Sequence, residues 1–278
     1  MRLSNTTPRT IDSLNRPTRP VRLGAVSYLN ARPLTWALDQ FPENWNTRYD
    51  VPSACAELLQ DGSVDLGLIP SIEYLRGDYR FVPGVGIGSR GPVASVALFS
   101  RRPIADIRRL ALDTSSRTSV ALVKVMCAHR FRIAPEFVSH GPDLAAMTRA
   151  CDAALLIGDP AFDADHAALG LEKIDLGMEW TAMTGLPFVY AAWTGRPGAI
   201  DGTHVEALQA AQTAGVAATD IIAAEYGGGD TERAARAARY LRDNVRYGLG
   251  PEEAAGLQRF LDYAAELGLG PRRELAFY

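Results

Sequence analysis

The chain has 278 residues, 47% hydrophobic and 22% charged, with a formal net charge of −3. That is enough apolar material for one large domain or two lobes, and a balance that excludes nucleic-acid binding, since no basic run interleaved with aromatics occurs. No stretch could span a bilayer, and residues 1–20, MRLSNTTPRTIDSLNRPTRP, lack the apolar core of a signal peptide; they read as a flexible polar tail on a cytoplasmic protein.

Val21 to Val26 form an apolar run that reads as a buried strand, and Pro33 sits where a first helical turn tolerates a missing N–H. Ser27, Tyr28, Asn30 and Arg32 therefore fall at the carboxyl end of a strand, where open α/β sheets bind ligands; Asn30 and Ser27 are equally able to cap the helix that follows. Thr47 to Pro52 reads as a second short strand, and Ser53 opens an amphipathic helix that Asp61 and Gly62 stop. Val64 to Leu68 is a third strand, after which Pro70 opens a short helix. Repeated strand, turn and helix signal a mostly parallel sheet with crossover helices.

The glycine-rich segment Phe81 to Ser89 is a bulged or closely packed strand, because its spacing and context fit no phosphate-binding fingerprint. Val93 to Ser100 follows as a strongly apolar strand. The plan then restarts. Ile107 to Leu112 is a strand, Asp113 to Ser119 (DTSSRTS) a polar loop, and Val120 to Phe131 a helix with one apolar face. Ala153 to Ile157 is a further strand, ending at Gly158, Asp159 and Pro160. Phe188 to Trp193 is the last strong strand, and beyond it Thr203–Tyr226, Asp230–Tyr247 and Pro251–Leu267 read as helices. Two long strands bracketing the second lobe divide the chain into lobe 1 (residues 21–98 and 192–278) and lobe 2 (residues 99–191), with a cleft between them.

The DTSSRTS loop sits where unpaired N–H groups and the helix dipole favour an anion, so Ser115, Ser116 and Thr118 are candidates to hold a carboxylate or phosphate, with Arg117 nearby; a simple helix cap is the alternative. Gly158 and Asp159 bring a carboxylate to another strand end, for a ligand hydroxyl or as a cap. Met178 to Pro187 reads as a hinge or cleft wall, or as an aromatic over the core. Cys55, Cys127 and Cys151 are odd in number and widely spaced, which fits reduced, buried thiols. The four histidines are scattered, and no HExxH, Cys/His metal spacing, GxSxG elbow or Walker loop occurs, so neither a metal nor an organic cofactor is expected.

Five blocks in one order, VSYLNARPL (26–34), DLGLIPSIEYL (65–75), SRGPVASVALFS (89–100), LALDTSSRTSVAL (110–122) and LLIGDPA (155–161), resemble the MqnA family, chorismate dehydratases of the futalosine route to menaquinone. The resemblance implies an α/β fold of two lobes like the type II periplasmic binding proteins, with a ligand cleft between the lobes and a helical C-terminal tail. It implies removal of water from chorismate without a cofactor, with Asn30 and Ser95 catalytic, Ser27 and Tyr28 shaping the same wall, and Ser115, Ser116, Thr118, Gly158 and Asp159 binding substrate. Ser95 lies inside an expected strand and could equally satisfy a neighbouring backbone group. Two alternatives accompany this reading: the sister enzyme MqnD, whose SPCPNDTF differs from the SYLNARPL found here, and a cytoplasmic small-anion-binding protein without catalysis.

Overall fold

The computed structural model describes residues 20–40 and 44–278; apart from Pro20, the tail expected over residues 1–20 lies outside them. In chain order the elements are β1 (Val21–Val26), α1 (Arg32–Thr35), β2 (Trp45–Asp50), α2 (Pro52–Asp61), β3 (Leu66–Pro70), β4 (Arg80–Ser89), β5 (Val96–Ser100) and β6 (Arg109–Asp113). They continue with α3 (Arg117–Met126), β7 (Glu136–His140), α4 (Leu144–Ala150), β8 (Ala153–Ile157), α5 (Gly158–Phe162), β9 (Glu172–Asp175), α6 (Leu176–Thr184) and β10 (Phe188–Gly195). The C-terminal helices are α7 (Gly202–Ala217), α8 (Thr219–Gly227), α9 (Thr231–Arg239) and α10 (Pro251–Glu266). Among the described residues no helix is long and apolar enough to cross a membrane.

The strands make two five-stranded sheets of one plan, β2-β1-β3-β10-β4 and β7-β6-β8-β5-β9. In the first, β1 runs parallel to β2 and β3; in the second, β6 runs parallel to β7 and β8. Each sheet also takes one antiparallel strand that arrives from the other lobe, β10 in the first and β5 in the second. Alternation along β5 gives its two faces to two cores. Val96 and Leu98 join the core that continues through lobe 1, whereas Ala97 and Phe99 pack with Leu144, Met147 and Leu156 on the far face.

The division expected at 98/99 and 191/192 would cut both β5 and β10, yet each strand lies whole in one sheet. The chain crosses between sheets before β5 and before β10, which corrects both boundaries. The apolar run from Val93 concealed the first crossing: Ala94 turns there with φ +65°, and the strand begins at Val96. Asp175 holds this turn by accepting the N–H groups of Val93 and Ala94, while Lys173 Nζ donates to the Ala94 carbonyl at 2.6 Å. Helix α3 starts at Arg117, three residues before the expected Val120; the expected helix 203–226 divides at Ala218 into α7 and α8, and the expected helix 230–247 is α9 followed by a π-helical turn that ends at Asn244.

The three cysteines are buried, and desolvation pushes the thiols of Cys55 and Cys127 up to about 12, far from a reactive thiolate. Trp180, in the segment read as a hinge or aromatic cover, is fully buried on α6 and donates Nε1–H to the Pro187 carbonyl at 3.1 Å. Helix α7 crosses the first loop at Gly215, where a Cβ would stand 1.9 Å from the Pro33 carbonyl oxygen. Only glycine lets α7 lie this close to the turn that carries Asn30.

Candidate active site

The carboxyl ends of the parallel strands from both lobes meet at one slot. Val26 ends β1, Pro70 ends β3 and Ile157 ends β8; all three line it, with Tyr28, Asn30, Ser116, Ser119, Gly158 and Tyr190. Pro52, the first residue of α2, and Ser116, the N-cap of α3, bring two helix N-termini to the same wall. Among the described residues no cationic side chain lines the slot, so a bound anion would rely on those N-termini and on hydroxyl groups. The enclosed volume is about 40 Å³, room for a few waters, so a larger ligand enters only when the lobes part.

Asn30 sits in the tight turn Leu29–Ala31 that follows β1. Its Oδ1 is buried and has no hydrogen-bond partner among the described residues, an unusual state that costs about 1–3 kcal/mol unless something donates to it. Tyr28, before it, lies against Gly158 of the other lobe and donates to Ser115 Oγ at 3.4 Å. Burial raises the Tyr28 phenol above its ordinary value and pushes Tyr190 well up, so both stay neutral donors.

The sequence candidates separate into three groups. Tyr28, Asn30, Ser116 and Gly158 line the slot. Ser115 and Asp159 act one step away: Ser115 takes the Tyr28 hydroxyl, and Asp159 Oδ1 accepts the Leu29 N–H at 3.0 Å across the lobes. Asp159 is thus a cross-lobe clasp, and α5 has no side-chain cap. Two residues point elsewhere, and a third stands behind the wall. Ser27 is exposed, its N–H and hydroxyl directed to the Asp50 carbonyl. Thr118 is buried in the first turn of α3, where Oγ1 accepts the Ile72 N–H and lies 3.3 Å from Ser71 Oγ, so it joins the lobes and is not free for a carboxylate. Ser95 is buried behind the wall, its hydroxyl accepting from Tyr240 at 2.7 Å and its carbonyl from Gly158 N–H at 2.8 Å.

Sequence reasoning missed Tyr190 and underweighted Ser119. Tyr190 is the one hydroxyl-bearing residue of the apolar run FVYAAW, the only signal it carried; Ser119 closes the DTSSRTS stretch and donates to Ser116 Oγ at 3.2 Å. Arg117 spans the lobes outside the slot, donating to Glu57 at 2.7 Å and Glu73 at 3.0 Å, in a groove of about 500 Å³ also lined by Arg76 and Lys124. Arg90 pairs with exposed Glu252 at 2.6 Å.

Desolvation raises the Asp159 carboxyl above its ordinary value, against the Leu29 N–H that lowers it. A raised acid contributes stability only below its ordinary range and loses it as pH climbs through the shifted value. Asp159→Asn keeps an oxygen for Leu29 and carries no buried charge. Its melting temperature should exceed that of the parent at pH 7, and the difference should close towards about pH 4; an advantage that persists in acid would contradict this account.

Relatives agree with this architecture. A curated chorismate dehydratase of Thermus thermophilus is 33% identical over 195 residues, 64% of this chain and 70% of that protein. Protein AF1704 of Archaeoglobus fulgidus superimposes with a TM-score of 0.71 at 19% identity, covering 91% of this chain and 99% of its own. The Candida albicans CA3427 product, described as having the generic periplasmic binding protein fold, superimposes with a TM-score of 0.59 at 10% identity, covering 89% of this chain and 90% of its own. These establish an α/β fold of the periplasmic-binding-protein kind. The menaquinone biosynthesis family model matches residues 21–266, and the chain belongs to that family.

Proposed function

We propose that this protein is a cytoplasmic chorismate dehydratase, a hydro-lyase that converts chorismate to 3-[(1-carboxyvinyl)oxy]benzoate and water on the futalosine route to menaquinone. The observation that carries the reading is Asn30 Oδ1, a buried acceptor without a partner, set where the strand ends of both lobes converge. The allylic C4 hydroxyl of chorismate supplies the donor it lacks.

The chemistry needs little from a side-chain base. The C3–H electron pair becomes the new C3–C4 double bond, the C4 oxygen departs as hydroxide, and the abstracted proton joins that hydroxide to give the water released. Aromatisation of the ring drives the step. In this reading the substrate's own enolpyruvyl carboxylate takes the C3 proton, which accords with a slot whose polar side chains are amide, hydroxyl and phenol. The protein orients the ring and stabilises the departing oxygen. Asn30 holds the C4 hydroxyl, and Ser116 with the α3 N-terminus receives a carboxylate. Tyr28 and Gly158 close the opposite side, clasped by Ser115 and Asp159. Ser95, one residue before lining Val96, supports the leaving group from behind the wall.

Incubating the purified protein with chorismate and following the mixture by mass spectrometry tests this directly. Appearance of the enolpyruvyl benzoate is expected. Chorismate that binds tightly and stays unchanged would make the protein a binder, and absence of any interaction would remove chorismate from consideration and favour the sister reaction.

A further inference from the structure

Helix α9 ends in a widened π-helical turn, Tyr240–Asn244, whose first residue reaches out of the C-terminal helices to the crossing between the lobes. Such turns are rare and recur at functional sites. Tyr240 is buried, and its hydroxyl donates to Ser95 Oγ at 2.7 Å. Phe162 of α5 packs on its ring with centroids 4.6 Å apart, and Arg236 lies over the other partner, 4.9 Å from the Phe162 centroid. The Tyr240 oxygen therefore has one defined position.

Ser95 is held from every side. Its neighbour Ala94 is kept at φ +65° by Asp175 and Lys173, its carbonyl is bonded to Gly158, and its side-chain oxygen accepts from Tyr240. With the oxygen occupied as an acceptor, the Ser95 hydroxyl proton is the part left to offer. A hydroxyl that accepts one hydrogen bond donates a stronger second one, because the two polarise each other.

We propose that Tyr240 is a positioning residue for the dehydration: it fixes and polarises Ser95 so that the serine proton is presented to the departing C4 oxygen. This rests on the chorismate reading and on the part assigned there to Ser95. Tyr240 touches no reacting atom and acts only through the serine.

The test is steady-state kinetics on chorismate with Tyr240→Phe, Ser95→Ala and the double variant. Tyr240→Phe removes one oxygen and should lower kcat about tenfold, with KM and melting temperature close to the parent's. In the Ser95→Ala background the same change should do nothing further, a non-additivity that a packing role would not produce. Replacing Tyr240 by 3-fluorotyrosine keeps the ring and makes the phenol a stronger donor, so kcat should be at least that of the parent. Parental kcat in Tyr240→Phe, additive losses in the double variant, or a fluorotyrosine protein as slow as Tyr240→Phe would each overturn the proposal. A parent protein that makes no enolpyruvyl benzoate would instead overturn the chorismate reading, a separate result.

Discussion

Asn30→Ala should lower kcat on chorismate by about a hundredfold, on the order of the loss when a group that orients the reacting hydroxyl is removed and the substrate shifts by about 1 Å. The same change should leave folding untouched. Oδ1 has no partner among the described residues, so its removal breaks no hydrogen bond described at that atom and relieves a buried acceptor that costs free energy while unpaired. The melting temperature of the variant should equal or exceed the parent's. That combination separates a group kept for a ligand from one kept for structure: a buried side chain that served the fold would lose stability along with activity. Parental turnover in Asn30→Ala would remove this residue from the mechanism, and a large drop in melting temperature would mean that its amide supports the turn after β1.

Much of this arrangement was legible in the chain because it follows from apolar runs and their ends. β1, β3 and β8 are short buried stretches with polar loops behind them, and the slot lies at those loops. What escaped was set by tertiary packing. β7 and β9 carry exposed, charged positions, EFVSH and EKID, and become strands only because β6 and β5 offer them an edge. The first turn of α3 is polar in sequence yet buried, since Thr118 and Ser119 face the other lobe, so a reading that waits for apolar residues starts the helix late. The partners of Ser95 and Thr118 are likewise set by tertiary packing: Ser95 Oγ accepts from Tyr240, 145 residues away, Thr118 meets Ser71 and Ile72, and no local pattern encodes partners at that separation.

Gly158→Ala tests whether the lobes must close in the form described. Gly158 has φ +62°, where an L side chain costs roughly 1 kcal/mol, and its added Cβ would stand 2.8 Å from two atoms of the Tyr28 ring. The ring belongs to lobe 1 and the glycine to lobe 2, so the clash exists only when the lobes are together. Tyr28 cannot retreat without giving up Ser115, and the Leu29 N–H beside it is the group that Asp159 holds. The backbone term lowers the stability of every form a little, whereas the steric term acts on the closed form alone. Small-angle scattering should therefore find the variant more expanded than the parent, while its melting temperature changes modestly. In the proposed mechanism Asn30 and the Gly158 wall grip one ring, and a misplacement of about 1 Å costs on the order of a hundredfold, so kcat/KM should fall to that extent. Scattering and turnover identical to the parent's would mean that Tyr28 and Gly158 need not meet for the chemistry, and the contact between the lobes at this point would lose its place in the proposed mechanism.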